Sequence, residues 1–583
     1  MGQGASVNPP RSGVGASAQG GAAGGPAEPD PRRPFDRRAF LASAAALPLA
    51  ACTRGGPAHY DGGWVGANAE RGHRLRDLRA GTFAAPAVQR RASVLVVGAG
   101  IAGLAAARAL TQRGVDDVHV LDLEDGAGGN SRGHAIAGMA CPLGAHYLPV
   151  PGDEATEVIE LLEALGLRRT ERGGAIVYDE RHLCHSPQER LYVGGQWHEG
   201  LLPPVEALAE DQRADTLAQY RRFDALVDRI GVAGAFRIPT ARSTWSPALD
   251  QLDAITFAAW LDAQRLDAPA LRWYLDYCCR DDYGAGAAQV SAWAGLHYFA
   301  SRHGFRAPGA PNGEGAPERD GVLTWPEGNA WLSRRLAEPL GDRLHTAQIA
   351  LRVVEERASV RVDVWDARAQ RAESWTAPQV ILALPLFITA RLVKAPPAAL
   401  TQTVAAMRHS PWLVGNLHLD AALDDRPGAP PSWDNVIYDA GLALPTLGYV
   451  DAMHQSTRSI PGPTVLTTYL ALGGNTPDEL GRQRTRLLNE SWSSWADAVV
   501  QGVAHVHPDL RSKLKRVDLM RYGHAMSIPV PGVRSSAALR ALAEPQRRVH
   551  YAHADLSAYS VFEEAMYHGV RAADQLVMNQ QLA

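Results

Sequence analysis

Lysine is nearly missing from this chain. Of 58 lysine and arginine residues, only Lys394, Lys513 and Lys515 are lysines. No basic run is interleaved with aromatics, and the formal net charge is -4, so no nucleic-acid surface is expected. Cysteine is also scarce, at five. Cys141, Cys184, Cys278 and Cys279 show no C-x-x-C spacing and no partnered histidine pairs, which indicates neither a zinc site nor a disulfide framework; no metal is expected. The adjacent Cys278 and Cys279 read as small buried hydrophobes. The apolar run after Phe40 is too short to span a bilayer as a mature helix. Hydrophobic residues make up 46% and charged residues 21%, which places the chain among ordinary globular proteins. Its 583 residues suffice for several domains or one large composite domain.

The N-terminal residues divide by composition. Residues 1–35 are rich in Gly, Ala, Pro and Ser and read as a disordered tail. "DRRAFLASAAALPLAACTRGG" comes next. Arg37-Arg38 before a modest apolar stretch resembles a twin-arginine (Tat) export signal, over residues 36–52. Leu49-Ala50-Ala51-Cys52 resembles a bacterial lipobox, which implies acylation of Cys52. Several acyl chains there would hold the protein stably to a membrane in the bacterial envelope, on the periplasmic side. Residues 53–90, rich in Gly, Ala and Arg, read as a linker.

Chemistry begins at "VLVVGAGIAGLAAARAL", residues 94–110. Val94 to Val97 read as a buried parallel strand and the Ala-rich stretch to about Arg113 as a helix. Between them stand Gly98, Gly100 and Gly103. The first suits a tight turn, the second close approach of backbone to a pyrophosphate, and the third close helix–strand packing. The amides at Ile101 and Ala102 open the helix, whose N-terminus favours phosphate. A second strand, "DVHVLDL", ends about 20 residues on at Asp122, where a carboxylate can bind ribose hydroxyls. Strand, turn, helix, strand and acid thus predict a dinucleotide site.

The residues just beyond Asp122 point to the kind of dinucleotide. "DLEDGAGGNSRG" places Gly128 and Gly129 shortly after the acid, and "PLGAHYLP" comes next. This order resembles the flavin amine oxidase superfamily, which includes monoamine and polyamine oxidases, protoporphyrinogen oxidase and carotenoid desaturases. The resemblance implies non-covalent FAD. It implies phosphate or ribityl contacts at Gly128 and Gly129, backbone beside the flavin ring at Gly144 and Ala145, and a ring neighbour in Tyr147. Three later segments are similar to the family as well. "WPEGNAWLSRRLAEPLGDRLHTAQIALRVVEE" implies a strand passing the adenine near Leu351. "APQVILALPLF" resembles the strand returning from the cofactor domain. "RVHYAHADLSAYSVFEEAMYHGVRAADQLV" implies that Asp555 holds the ribityl chain and that amides around Val561 and Phe562 meet the pyrimidine end of the ring. Asn130 stands where the family usually has arginine. The family's flavin-adjacent lysine maps to Val414, and the aromatic before its last helix maps to Val561.

The fold expected is therefore α/β: a Rossmann-like FAD-binding domain assembled from residues 91–150, 322–390 and 545–580. Residues 151–321 and 391–544 are expected to build a mixed α+β substrate domain. In it "TVLTTYLALG" reads as antiparallel strand and "PDELGRQRTRLLNESWSSWADAVV" as helix. Candidates for acid–base work are His146, Tyr147 and His524. Asp281 and Asp282 are candidates to receive an ammonium or polyamine. Trp433, Tyr438, Trp293 and Tyr298 offer either core packing or a cage for a cation. The leading expectation is an FAD-dependent oxidoreductase transferring hydride from an amine, possibly a polyamine, to flavin N5, with oxygen or an envelope acceptor reoxidising the cofactor. A desaturase-like flavoprotein acting on a lipid or isoprenoid is the second expectation, and a non-catalytic flavin-bearing envelope protein the third.

Overall fold

Val94–Val97 lies at the centre of the molecule because every one of its residues is apolar and buried. Its side chains alternate between two cores, as strand geometry requires. Val94 and Val96 pack with Ala102, Leu104, Ala105 and other residues of the Ile101–Gln112 helix. Leu95 and Val97 pack with Ile349, Val360, Val362 and Val364. The computed structural model describes residues 60–79, 85–231, 234–309, 321–438, 446–456, 458 and 460–582. The expected tail, the export signal and Cys52 lie outside the described residues.

Five parallel strands form the central sheet, in the order Leu344–His345, Val118–Leu121, Val94–Val97, Gln379–Leu382 and Val549–Tyr551. Three distant stretches of chain therefore meet in one sheet. One face carries the Ile101–Gln112 helix and the C-terminal helix Phe562–Leu582. These helices touch so closely that a Cβ at Gly569 would lie 2.2 Å from the Ala102 carbonyl oxygen. The other face carries a four-stranded sheet of Gln348–Glu355, Val360–Asp366, Arg371–Ala377 and Val88–Arg91.

The remaining chain builds an eight-stranded mixed sheet. Its long members, Arg408–Leu419 and Leu514–Ile528, run antiparallel, and Thr464–Ala471 pairs antiparallel with the first. Helices Glu210–Ile230, Phe257–Ala263, Pro269–Tyr283 and Ala292–Tyr298 surround a second large core containing Phe223, Phe257, Trp293 and Phe299. The expected helix over 477–500 is two, Pro477–Asn489 and Trp492–Ala504, because Ser491 caps the second through the Ser494 amide.

Residues 53–90 depart from the linker expectation. Asp61–Trp64 is an edge strand parallel to Leu514–Ile528, Ala69–Arg79 is a helix, and Val88–Arg91 pairs parallel with Arg371–Ala377. The Gly-, Ala- and Arg-rich composition that suggested a linker suits strands at the edges of their sheets. Among the described residues no helix is long and apolar enough to cross a membrane.

Candidate active site

The turn after the central strand is shaped for close approach. Gly98 has φ +104°, and a Cβ there would lie 2.3 Å from the Ala383 carbonyl oxygen, so only glycine fits. At Gly100 a Cβ would meet nothing nearer than Gly129 Cα, at 3.9 Å. The space it faces belongs to a cavity of about 400 Å³ lined by Gly98, Gly100, Ile101, Ala102, Gly128 and Gly129. Gly128 N donates to the Ala99 carbonyl at 2.8 Å, which joins the two glycine segments into one wall. Gly103 lies outside the lining; its Cβ would fall 1.8 Å from the Gly98 carbonyl oxygen, so its role is helix–turn packing.

Asp122 lines the cavity and also braces the turn. One oxygen accepts from the Ala99 amide at 2.7 Å and the other from the Glu124 amide at 2.8 Å. Burial raises its pKa, against the pull of those amides. Each oxygen keeps a lone pair for a ribose hydroxyl. Leu351 departs from expectation: its side chain packs in the core with Val97, Leu121 and Val362, away from the lining.

Gly144, Ala145, His146 and Tyr147 line the middle of the same cavity. His146 stacks on Tyr469 at 4.5 Å and leans on Trp433 at 5.4 Å. Burial lowers its pKa to about 3, so the imidazole is neutral at physiological pH. Burial likewise holds the Tyr147 hydroxyl well above its ordinary range, so it stays protonated. Val414, facing Tyr469 across the strand pair, is part of the lining.

Carboxylates gather elsewhere on the wall. Asp281 and Asp282 occupy the last turn of Pro269–Tyr283, which stops at Gly284 with φ +72°. A helix C-terminus is the negative end of its dipole and already disfavours anions. Burial, and then Asp282 and Glu189, push Asp281 up to about 7. Burial raises Asp282 to about 6, opposed by Arg302 and by the Tyr559 hydroxyl, which donates to it at 2.5 Å. Asp434 joins them on the lining and is raised well above the usual range by burial, Asp281 and Glu189. Arg302, in the short π-helix Phe299–His303, is paired with Glu563 at 2.6 Å.

Asp555, Val561 and Phe562 also line the cavity. Asp555, however, is heavily engaged. His409 Nε2 lies 3.1 Å from both of its oxygens, and the Leu386 amide donates to it at 2.8 Å. Burial opposes its ionisation, but His409 and His553 outweigh that and hold it well below the usual range. His524 lines the cavity 4.6 Å from Phe387, centroid to centroid.

For Trp433, Tyr438, Trp293 and Tyr298 the two readings are core packing or a cage, and none of the four lines the cavity. Trp433 is buried behind His146 and Tyr147, Tyr438 packs on Trp273, and Trp293 packs between Phe236 and Trp245. Tyr298 sits beside Phe299, also off the lining. The Phe, Tyr and Trp side chains on the wall, among the described residues, are Tyr147, Tyr277, Trp412, Tyr469, Tyr522 and Phe562. Sequence reasoning passed over Asp434, His409, Tyr469 and Arg302. Asp434 comes directly after Trp433 at the start of a strand, where alternation sends adjacent side chains to opposite faces, so the choice of Trp433 selected the wrong neighbour.

The cavity fits a bound dinucleotide. Glycine backbone and a helix N-terminus form one wall. Three buried polar atoms of lining residues, Asn329 Oδ1, Trp412 Nε1 and Glu563 Oε2, have no protein partner. Residues 101–577 match the model of the flavin containing amine oxidoreductase family. A putrescine oxidase of Kocuria rosea is 31% identical over 170 residues, which span 29% of this chain and 30% of that protein. A putrescine oxidase redesigned at its cofactor-binding site superposes with a TM-score of 0.59 at 17% identity, over 84% of this chain and 99% of that one. Cyclohexylamine oxidase from Brevibacterium oxydans gives 0.58 at 19% identity, over 84% and 99%. A fatty acid isomerase from P. acnes gives 0.55 at 14%, over 82% and 97%. With its glycine turn, its cavity and a family match over most of its length, the chain belongs to the flavin-containing amine oxidoreductases and is an FAD-dependent oxidoreductase.

Proposed function

We propose that this enzyme oxidises a primary amine bearing a second cationic group, a diamine or polyamine. The observation that carries the reading is the gathering of Asp281, Asp282 and Asp434 on the wall of a cofactor cavity whose described lining includes a single arginine, Arg302, and no lysine. Bound FAD supplies a hydride acceptor for the carbon next to the reacting nitrogen. The chain supplies the rest. Buried carboxylates repel one another and hold protons until a cation compensates them, so a dicationic substrate relieves a strain built into the site. Asp281, titrating near pH 7, is suited to take the proton an ammonium must lose before its nitrogen lone pair can assist oxidation. The neutral rings of His146, Tyr147 and Tyr469 leave the reacting end of the site uncharged, which favours the free amine there. Val414 presents no charge to it.

The similar proteins support the same class: one is a putrescine oxidase and another a cyclohexylamine oxidase. A lipid or isoprenoid substrate would leave the carboxylates without a cation. Under anaerobic mixing, a short α,ω-diamine should bleach the flavin absorbance faster than a monoamine of equal length, with peroxide or a reduced acceptor appearing on turnover. Bleaching by an isoprenoid, with every amine inert, would overturn the reading.

The proposal extends to location. Arg37-Arg38 and Cys52 support Tat export and lipid anchoring in the envelope, and Cys52→Ala should shift the protein from the membrane to the soluble periplasmic fraction. Cytoplasmic retention of the wild type refutes this part alone.

A further inference from the structure

We propose that Asp282 and Arg302 are positioning residues: with Tyr559 and Glu563 they clamp the turn that opens the C-terminal helix, and the substrate's second cation is met by Asp281 and Asp434. The clamp itself is independent of the substrate; the second clause rests on the diamine reading.

Two contacts bracket the turn. On one side the Tyr559 hydroxyl donates to Asp282 at 2.5 Å. On the other, Arg302 donates to Glu563 at 2.6 Å, and the two side chains are only 9% and 2% exposed. The residues between, Ser560, Val561 and Phe562, line the cavity. Two further bonds fix the same segment. Ser560 Oγ accepts the Ser527 amide at 3.0 Å, and Glu564 accepts the Thr240 amide at 2.5 Å. Residues 559–564 are thus gripped by Asp282, Arg302 and Thr240, which stand on three separate helical segments.

A turn held this closely passes its position to the cofactor cavity. The helix it opens, Phe562–Leu582, packs on Ile101–Gln112, with Gly569 against the Ala102 carbonyl. Ala102 lines the cavity beside the glycine turn. Close-packed interfaces transmit displacement, so a shift at residue 563 reaches both helix N-termini that face the dinucleotide. The ionic character of the clamp sharpens the effect. Removing one partner of a buried pair leaves the other charge uncompensated, whereas removing both costs far less.

The same contacts separate two neighbouring carboxyls. Adjacent helix positions point about 100° apart, so Asp281 and Asp282 face different surroundings. Asp282 is committed to Tyr559, and Arg302 opposes the rise that burial imposes on it, which stops at about 6. Burial, Asp282 and Glu189 all push Asp281 up, to about 7. Asp434 is raised by burial, by Asp281 and by Glu189. A cation placed between Asp281 and Asp434 relieves that repulsion.

FAD titration into apoprotein, followed by flavin fluorescence, reads the clamp without any amine. Arg302→Gln should raise the dissociation constant roughly tenfold or more, and Arg302→Lys should recover part of the loss, since it restores the charge without the fork. Arg302→Gln combined with Glu563→Gln should bind FAD more tightly than Arg302→Gln alone. Arg306→Gln, whose partners Asp224 and Asp228 lie off the lining, should match wild type. Tyr559→Phe removes one hydroxyl and covers the case in which Arg302→Gln does not fold. It should release FAD faster than wild type while keeping the wild-type ratio of monoamine KM to diamine KM. Wild-type FAD affinity in both Arg302→Gln and Tyr559→Phe, or a double variant no tighter than Arg302→Gln, would overturn the clamp. So would a Tyr559→Phe enzyme that loses its diamine preference with FAD affinity intact, because Asp282 would then be a substrate ligand. A wild-type enzyme without diamine preference would sink the diamine reading and the second clause, and the FAD titrations would still decide the clamp.

Discussion

A carboxylate at the end of a helix, buried and beside a second carboxylate, is an unfavourable object unless something cationic visits it. Asp281 and Asp282 meet that description, and Asp434 adds a third buried carboxyl group. Loss of a charged hydrogen bond costs about 1.5–3 kcal/mol, so Asp434→Asn should raise KM for diamines by roughly 10- to 100-fold, with a smaller change for monoamines and little in kcat. The pH dependence has a definite sign. Asp281 titrates at about 7 and Asp282 at about 6; they gain charge as pH rises, so KM for a diamine should fall between pH 6 and 8, and Asp281→Asn should flatten the fall. Stability runs the other way. The folded pKa of Asp281 lies above its unfolded value, so the folded state binds more protons and loses stability as pH rises from about 4 through 7. Asp281→Asn should therefore raise Tm in unliganded protein, and by more at pH 8 than at pH 5, as differential scanning fluorimetry would show. A variant that gains stability while losing diamine affinity is the signature of a binding residue.

At the scale of elements, the sequence was most legible where local rules and tertiary contacts agree. Val94–Val97, its glycine turn and the helix after it could be read directly, because a fully apolar strand, three spaced glycines and an alanine helix each have one physical use. The Asp555 segment was legible as an element, but its partners were not, since His409 lies 146 residues away in sequence. Residues 61–64 and 88–91 misled for a related reason: edge strands carry little apolar signal, and their pairing depends on strands hundreds of residues distant. Gly98 gives the element-scale prediction. Alanine there is strained at φ +104° and its methyl would strike the Ala383 carbonyl, a conflict of order 1–3 kcal/mol in backbone terms alone. Displacing either group moves the pyrophosphate wall. Gly98→Ala should purify with a clearly lower ratio of flavin to protein absorbance than wild type, whereas Gly114→Ala, also at positive φ but with open space around it, should retain its flavin at a modest loss of Tm.

For the molecule as a whole, the cofactor cavity is a junction rather than the property of one domain. The central sheet takes strands from residues 94–121, 344–382 and 549–551, and the wall opposite comes from the long strands at 408–419 and 514–528. Such a site forms only when distant segments have already assembled, which makes FAD content a measure of global folding. The N-terminal strands extend this dependence. Asp61–Trp64 pairs with residues 516–519 in the large sheet, while Val88–Arg91 pairs with residues 373–376 in the small one. One short stretch of chain thus joins the large sheet, which contributes to the cavity wall, to the small sheet packed against the central one, and the Asn68 amide between them donates to Glu124 on the cavity wall at 3.1 Å. A tether could be removed without effect; a strap that completes two sheets could not. Protein beginning at residue 59 should therefore retain the flavin content and Tm of the longer chain, since every described strand and helix lies after that point. Protein beginning at residue 92 exposes two strand edges and removes the Asn68 amide from Glu124, and it should show reduced flavin content and a lower Tm. Equal flavin content in the two truncations, measured by absorbance after gel filtration, would return residues 59–91 to the status of a linker.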